Sequence, residues 1–214
     1  MNLVLLGAPG SGKGTQAEKL SQKLNLFYLQ TGELSREWAK TDKRIRNIIN
    51  GGKLIPEKEM TNYVMKYLEK RVPKGTNILF EGFPRFISQY EEYEKWLASK
   101  RQKIDAVVSL DISEKEAVKR LSGRRICEKC GEVYNVITNP PKESGKCDKC
   151  KGKLIQRDDD RPEAIKVRFR YYRNNTKKLI DYLDNKEKLI RVDAVRPINV
   201  IYLEILEKLG VKNG

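Results

Sequence analysis

Residues 7–15 read GAPGSGKGT and separate an apolar run from an amphipathic segment. The apolar run, Asn2–Leu6, is continuous, as expected of a strand that is covered on both faces. The segment after the turn places Ala17, Leu20 and Leu24 on one side of a helix over residues 13–24. A glycine-rich turn between a buried strand and a helix directs backbone N–H groups inward, where the helix dipole adds positive potential. The stretch therefore predicts an anion-binding turn in an α/β fold.

The turn matches most of the phosphate-loop pattern, GxxxxGK followed by Ser or Thr. Gly7, Gly12 and Lys13 fit this pattern, whereas Gly14 takes the Ser/Thr position and Thr15 follows it. Glycine lets the backbone approach phosphate closely, and lysine adds a mobile positive charge for the β- and γ-phosphates. We therefore predict nucleotide binding by this loop and by Lys13. The alternative is a glycine cluster with no role beyond the turn.

Strand-like and helix-like segments alternate along the rest of the chain. Further strands are predicted at residues 27–29, 78–81, 106–110 and 189–192. Helices are predicted at residues 31–40, 43–50, 57–71, 88–100, 161–184 and 197–209, with another starting after Ser113. Thr31 and Ser113 are predicted to cap two of these helices, and Gly51-Gly52 to end a third. The alternation predicts an α/β fold of the P-loop NTPase type, a parallel five-stranded sheet with helices on both faces.

The composition excludes several kinds of protein. A chain of 214 residues supports one good core, and at a mean hydropathy of −0.65 it has no apolar run near the ~20 residues of a membrane span. It has no histidine, which excludes Ser-His-Asp and Cys-His hydrolases and any histidine-ligated metal. The net charge of +15 suggests an anionic partner, namely nucleic acid, an acidic membrane surface or a polyphosphate; a solvated lysine-rich surface is the alternative. The start of the chain lacks a basic n-region, so we expect a cytoplasmic protein without a secretory signal.

All four cysteines lie between residues 127 and 150, among prolines, glycines and short β-like pieces. Cys127-x-x-Cys130 and Cys147-x-x-Cys150 enclose sixteen residues, a spacing typical of a zinc site. Four thiolates form a closed tetrahedron that leaves no position for a catalytic water. The segment therefore predicts an inserted zinc ribbon with a structural metal, with two disulfides or four free thiols as the alternatives.

Six short motifs occur in order along the chain. They are the phosphate loop, Thr31-Gly32-Glu33 with Arg36, Gly52-Lys53-Leu54-Ile55, Glu81-Gly82-Phe83-Pro84-Arg85 with Gln89, Gly123-Arg124-Arg125, and Arg157-Asp158-Asp159 with Arg168. On these motifs the chain resembles the adenylate kinases of the long, zinc-carrying bacterial type, over essentially all of its residues. Three positions depart from the family pattern: Glu33 and Glu81 stand where the family has aspartate, and Ala194 stands where it has glycine.

The resemblance implies a role for each motif residue. The catalytic residues would be Lys13, Arg85, Arg124, Arg157 and Arg168. ATP would be bound by Gly10, Ser11, Gly12, Lys13, Gly14, Thr15, Arg120, Arg124 and Arg196. AMP would be bound by Thr31, Gly32, Arg36, Leu54, Ile55, Gly82, Arg85, Gln89, Arg157 and Arg168. Glu33 and Glu81 would hold the water shell of magnesium, and Cys127, Cys130, Cys147 and Cys150 would hold zinc.

Two features of these motifs can each be interpreted in two ways. Asp158 and Asp159 either hold lid arginines or cap the helix that follows. Thr31 either faces the adenine of AMP, as the resemblance implies, or only caps its helix.

The resemblance also implies a reaction and a domain organisation. The reaction is reversible phosphoryl transfer from Mg·ATP to AMP, giving two ADP, with Mg²⁺ and a structural Zn²⁺ as cofactors. A P-loop core of residues 1–30, 61–122 and 161–214 would carry an AMP-binding segment at 31–60 and a zinc lid at 123–160 that closes over the nucleotides. We expect a monomer whose partners are ATP, AMP and ADP, without nucleic acid or a membrane. The alternatives are a kinase for UMP, CMP or GMP and a nucleic-acid-binding ATPase that uses the basic surface and the ribbon.

Overall fold

Two sheets organise the computed structural model, which describes residues 1–211. The strands in this part of the chain are β1 (Leu3–Gly7), β2 (Phe27–Gln30), β3 (Ile78–Glu81), β4 (Ala106–Asp111), β5 (Arg124–Cys127), β6 (Val133–Asn135), β7 (Leu154–Ile155) and β8 (Leu189–Asp193). The larger sheet has the order β2-β3-β1-β4-β8 with every neighbour parallel, and the smaller has the antiparallel order β6-β5-β7. The predicted five-stranded parallel sheet is confirmed.

Helices connect and cover the strands. They are α1 (Lys13–Leu24), α2 (Thr31–Thr41), α3 (Lys43–Asn50), α4 (Glu57–Arg71), α5 (Ile87–Ser99), α6 (Glu114–Gly123), α7 (Pro162–Tyr171), α8 (Lys177–Asp184) and α9 (Ile198–Lys208). Asp158–Asp160 forms a 3-10 turn before α7, and Tyr172–Thr176 forms a π-helical turn that joins α7 to α8. None of the helices within residues 1–211 has both the length and the apolar character to cross a membrane.

The core lies on both faces of the larger sheet because β1 alternates between them. Leu3 and Leu5 pack in one buried cluster with α1 and α9, whereas Val4 and Leu6 pack in another with α4, α5 and α8. A strand with a period of two and apolar residues at every position must be covered on both sides. This burial holds the carboxyl ends of β1, β2 and β3 at one edge, where the polar motifs follow.

One of the two predicted caps is present and the other is not. Ser113 precedes α6, and its Oγ accepts a hydrogen bond from the Glu116 N–H at 3.2 Å. Thr31 was expected to cap the helix that follows it, but it is the first helical residue of α2, and Gln30 precedes it without a side-chain cap. The Thr31 side chain is instead buried under β3, where its Oγ1 donates to the Glu81 carbonyl oxygen at 3.4 Å. Tertiary packing, therefore, outweighs the local preference of threonine for a cap.

Candidate functional site

The phosphate loop joins β1 to α1 through a series of left-handed glycines. Gly10 and Gly12 have φ angles of 82° and 91°, which favour glycine. A Cβ on Gly10 would lie 2.7 Å from the Ala117 carbonyl oxygen, and one on Gly7 would lie 2.6 Å from the Leu110 carbonyl oxygen. The loop therefore fits closely against β4 and α6, and the N-terminal turn of α1 is left facing the site.

Lys13 folds back over this loop. Its Nζ donates to the carbonyl oxygens of Gly7 at 3.0 Å and Ala8 at 2.8 Å. Burial of the ammonium group lowers the pKa of Lys13 to about 8, although the nearby Glu81 carboxylate opposes this change. Its neighbours Ser11 and Thr15 differ in environment, since Ser11 is buried and Thr15 is exposed. Lys13 Nζ also donates to Ser11 Oγ at 3.4 Å, and a partly buried cation whose partners are all neutral is suited to receive an anionic oxygen.

Arg85 is positioned by the turn after β3. Its Nε donates to the Gly82 carbonyl oxygen at 2.7 Å, and its backbone N–H donates to Gln89 Oε1 at 2.9 Å. Gly82 has a φ of 86°, and a Cβ there would lie 2.7 Å from Thr31 Oγ1. Gln89 is buried and also contacts Thr61 Oγ1 at 3.2 Å through Nε2. The turn thus brings Thr31, Gly82, Arg85 and Gln89 together, as the sequence motifs suggested.

Four more of the predicted AMP residues, Gly32, Arg36, Leu54 and Ile55, lie in α2 and in the stretch between α3 and α4. The Arg36 guanidinium lies over Gly32, 3.4 Å from where a Cβ on that glycine would be. Ile55 is buried in a small apolar cluster with Ala39 and Ile45, and Leu54 is half-buried. Since Ile55 serves this cluster, its side chain holds the segment together.

Asp160 joins two predicted lid arginines. Its carboxylate accepts two hydrogen bonds from Arg124, at 2.7 Å from Nε and 2.6 Å from Nη2, and one from Arg168 Nη1 at 2.8 Å. The Asp160 side chain is fully buried. Asp159 also pairs with Arg168 at 3.0 Å, whereas Asp158 is exposed and pairs with Arg161 at 2.9 Å. Of the two interpretations of this motif, holding the arginines therefore fits Asp159, and the helix after it begins without a side-chain cap.

Asp160 is a site residue that the sequence reasoning missed. The motif as interpreted ended at Asp159, although the sequence continues with a third aspartate. Because aspartates are usually solvated, the run itself gave no sign that one member is buried between two arginines.

Arg157 lies on the other side of the same cluster. Its Nε is buried and has no hydrogen-bond partner among residues 1–211. Burial, then the neighbouring charges of Arg124 and Arg36, lower the pKa of Arg157 to about 10. An unpartnered buried N–H in a group of cations indicates a place for an anionic ligand.

The cluster as a whole faces the phosphate loop. Arg85, Arg168 and Arg124 all lie near enough to Lys13 to disfavour its charged form. Like charges placed together without intervening anions cost free energy, and phosphate oxygens would offset that cost. The structure therefore brings together the five residues predicted to be catalytic.

Arg120 and Arg196 lie apart from this cluster, at the turn after β8. Arg120 donates to the carbonyl oxygens of Ala194 at 2.9 Å and Val195 at 3.3 Å. Arg196 pairs with Asp193 at 3.7 Å and with Glu204. Ala194 is fully buried and does not adopt a positive φ, so the residue that replaces the family's glycine fits the path of the turn.

Glu81 and Glu33 flank the first turn of α1 from two elements. Glu81 ends β3, and Glu33 is exposed in the first turn of α2. Burial, followed by the charges of Glu81 and Glu33, raises the pKa of Tyr28, which lies beside Gly14. Both carboxylates act on the Tyr28 hydroxyl, and oxygen groups of this kind are the preferred partners of a hydrated magnesium ion.

The four cysteines form one cluster within β5–β7. Their sulfur atoms all lie within 4.8 Å of one another, with Cys127 and Cys150 Sγ 3.4 Å apart and Cys130 and Cys147 Sγ 3.5 Å apart. A tetrahedral zinc site with ~2.3 Å bonds needs sulfurs about 3.8 Å apart, so the arrangement fits the metal. A disulfide would need about 2.05 Å, and all four residues are free cysteines.

The two CxxC turns have the same backbone pattern. Residues Cys127 and Cys147 each donate their N–H to the carbonyl oxygen five residues later, at 2.8 Å and 2.9 Å, and each accept the N–H of the residue four later. A Cβ on Gly152 would lie 2.9 Å from Cys127 Sγ and 3.3 Å from Cys150 Sγ. The backbone is thus shaped around the sulfur cluster.

Comparison with known proteins finds similar chains over nearly the whole sequence. A family model described as adenylate kinase matches residues 5–188. A protein named adenylate kinase from Methanothrix thermoacetophila is 41% identical over 98% of this chain and 99% of its own length. Adenylate kinases from Archaeoglobus fulgidus and Thermotoga neapolitana are 41% and 40% identical, covering 98% and 97% of this chain and 99% and 96% of their own lengths.

Proposed function

The chain belongs to the adenylate kinase family, and from this membership we propose that it transfers a phosphoryl group reversibly from Mg·ATP to AMP, giving two ADP. The observation that carries the proposal is the clustering of Arg85, Arg124, Arg157 and Arg168 around Lys13 of the phosphate loop. Two nucleotides meeting end to end bring several negative phosphate charges into one place, and this cluster supplies the matching cations.

The phosphate loop holds the donor. Backbone N–H groups of residues 10–15 and the positive end of α1 face the phosphates of ATP, while Lys13 exchanges its carbonyl partners for phosphate oxygens. Arg120 and Arg196, near the turn after β8, are proposed to border the rest of the ATP molecule.

The acceptor binds on the other side of the cluster. Arg85 and Arg36 hold the AMP phosphate as planar forks, and Thr31, Gly32, Leu54, Ile55, Gly82 and Gln89 border its nucleoside. The side chains of Thr31 and Gln89 are both buried and bond to protein groups in the structure, and we propose that they exchange these partners for a base and so select it by hydrogen bonding. This pair favours AMP over the other monophosphates.

The reaction needs no general base. An AMP phosphate oxygen has lost its proton at neutral pH, since the second pKa of such a group is about 6. Catalysis is therefore positioning and charge stabilisation, to which Arg124, Arg157 and Arg168 contribute as charge spreads over the transferring phosphoryl group. This accounts for an active site without histidine.

Glu33 and Glu81 are the residues that would hold the water shell of magnesium. The chemistry supplied by Mg²⁺ when it is bound with ATP is neutralisation of charge on the transferring phosphates. Cys127, Cys130, Cys147 and Cys150 would hold zinc, whose contribution is to fix the shape of the small sheet.

We also propose the domain organisation that supports this chemistry. Residues 31–60 carry the acceptor side, residues 123–160 form the zinc lid, and residues 1–30, 61–122 and 161–214 form the core, of which residues 212–214 lie outside the described part of the chain. Water must be excluded while the phosphoryl group moves, so the lid and acceptor segment close over both nucleotides and reopen for release.

The proposed function is tested by supplying Mg·ATP with AMP, GMP, CMP or UMP and measuring each diphosphate by chromatography. We expect ADP to form at least about tenfold faster from AMP than any other product forms. If another monophosphate reacted faster, that monophosphate and not AMP would be the acceptor. If ATP were hydrolysed at the same rate whichever monophosphate was present, the protein would not be a monophosphate kinase.

A further inference from the structure

Tyr28 has a buried hydroxyl group beside the phosphate loop that is not explained by the residues assigned so far. This hydroxyl has no hydrogen-bond partner among residues 1–211. It lies 3.9 Å from where a Cβ on Gly14 would be, and Gln30 Nε2 lies 3.3 Å from the same point. Burying a hydroxyl without a partner costs free energy, so a ligand that satisfies it would recover that cost.

The strand register places the neighbouring polar groups on one face of the sheet. Tyr28 and Gln30 are two residues apart on β2 and therefore point to the same side. Gln30 pairs with Glu81 across the β2–β3 ladder, so Glu81 points to that side as well. The N-terminal turn of α1 covers this face, and because Gly14 has no side chain, Tyr28 and Gln30 reach its backbone.

The electrostatic surroundings suit a hydrated cation. The carboxylates of Glu81 and Glu33 lie near enough to act on the Tyr28 hydroxyl. In the phosphate-loop pattern, the residue after the lysine carries a hydroxyl that serves magnesium, and here that residue is Gly14. The Tyr28 hydroxyl lies over this glycine and offers both a donor and an acceptor.

We propose that Tyr28 is a positioning residue for the hydrated magnesium ion that accompanies ATP. The phenol group, which has no partner among residues 1–211, accepts a hydrogen bond from a metal-bound water, while the nearby Glu81 and Glu33 carboxylates act on the same water shell. The inference rests on the proposed function, because it concerns the metal that enters with the donor nucleotide. Its action on the metal is indirect, through water, as for outer-shell groups generally.

The test compares Tyr28→Phe with Tyr93→Phe. Both substitutions remove only a hydroxyl, and the Tyr93 hydroxyl is likewise buried without a partner in the described residues, but it lies in the core against Phe80. Calorimetric titrations of the protein with Mg·ATP and, separately, with ATP in chelator measure the two ATP affinities, and their ratio, taken with the affinity of free ATP for Mg²⁺, gives the Mg²⁺ affinity of the ATP complex. We expect Tyr28→Phe to weaken Mg²⁺ binding about three- to tenfold while metal-free ATP binding and the melting temperature stay unchanged. Tyr93→Phe should leave both affinities unchanged.

Two results would overturn the inference. Equal Mg²⁺ affinity in Tyr28→Phe and the wild type would show that the hydroxyl only fills space. If Tyr28→Phe weakened the binding of Mg·ATP and of metal-free ATP equally, the hydroxyl would act on the phosphate loop or on the phosphates and not on the metal. Failure of the proposed function is separate, because it would appear as wild-type protein that forms no ADP from ATP and AMP.

Discussion

At the scale of single residues, Lys13 shows how the fold prepares a charge for its ligand. Its ammonium group is buried among carbonyl oxygens and near three arginines, so keeping it charged costs free energy in the protein without nucleotide. That cost is recovered when phosphate oxygens replace the carbonyls, because an opposite charge favours the protonated form.

The lowered pKa of Lys13 predicts a pH dependence of nucleotide binding. The group is charged below its pKa of about 8 and loses its proton as the pH rises through that value, whereas an ordinary lysine stays charged to about 10.4. Affinity for metal-free ATP should therefore fall between about pH 8 and pH 9.5. Lys13→Arg stays charged throughout, and fluorescence-monitored titration should show a flat profile for it. A fall of equal size in Lys13→Arg would assign the titration to another group.

Arg85 is expected to be needed for turnover and dispensable for folding. Arg85→Ala removes the fork on the acceptor phosphate and should lower turnover at least about a hundredfold, since it removes charge at the transferring group. The matched control is Arg170→Ala, an exposed arginine of α7, which should retain normal turnover. Near-normal turnover in folded Arg85→Ala would remove Arg85 from the acceptor site.

At the scale of elements, the 3-10 turn Asp158–Asp160 connects the small sheet to α7 by ion pairs. Asp160→Asn leaves Arg124 and Arg168 buried without their shared carboxylate, so the free energy of unfolding should fall by roughly 3 kcal/mol. Asp158→Asn changes an exposed neighbour and should alter it by less than about 0.5 kcal/mol. Urea denaturation measures the free energy of unfolding of both variants. If Asp160→Asn and Asp158→Asn were equally stable, the buried ion pairs of Asp160 would make no net contribution to stability.

The sulfur cluster is expected to stabilise its own small sheet more than it assists turnover. One zinc per chain should be found by elemental analysis, and removing it should lower the melting temperature by roughly 10 °C while turnover at moderate temperature falls less. Cys147→Ser should reproduce this effect, whereas Ser144→Ala in the same segment should not. Turnover that disappears while the fold and melting temperature are preserved would contradict a purely structural metal.

At the scale of the whole molecule, the end of α3 and the glycine pair after it touch the 3-10 turn Asp158–Asp160 and the start of α7. Asn50 Nδ2 donates to Asp158 Oδ2 at 3.3 Å, and Gly52 packs on the start of α7. A Cβ on Gly52 would lie only 2.4 Å from the Ala164 carbonyl oxygen. The glycine thus permits the closest approach between these two parts of the chain.

Gly52→Ala should therefore disfavour this packing, on which we expect the proposed closure over the nucleotides to depend. A mimic that joins two adenosines through five phosphates should bind far more tightly than ATP, compact the protein in scattering experiments, and lose roughly tenfold or more in affinity in Gly52→Ala. Gly145→Ala is the matched control, because Gly145 has a similar φ of 78° against 72° for Gly52 but open space around its Cβ position. Unchanged scattering with saturating mimic would falsify closure. If Gly52→Ala and Gly145→Ala lost equal affinity for the mimic, backbone strain at the positive φ would be the cause.

The sequence alone determined the features that depend on neighbouring residues. The continuous apolar run of β1, the glycines of the phosphate loop and the periodicity of α1 predict the strand–loop–helix unit, since each depends on local backbone geometry and side-chain period. The CxxC spacing likewise predicts the sulfur cluster, because each turn places two thiols together by itself. These patterns, with the alternation of strands and helices, were enough for the parallel sheet.

Only the tertiary structure decided which polar groups meet across distant segments. Thr31 has the character of a helix cap but is buried under β3, and Asp160 looks like an exposed member of an acidic run but joins Arg124 to Arg168. Tyr28 resembles an ordinary strand residue until the packing of α1 against β2 brings Gly14 beside its hydroxyl. The physical reason is that burial and electrostatic partners depend on residues far apart in sequence, and these come together only when the sheet has formed.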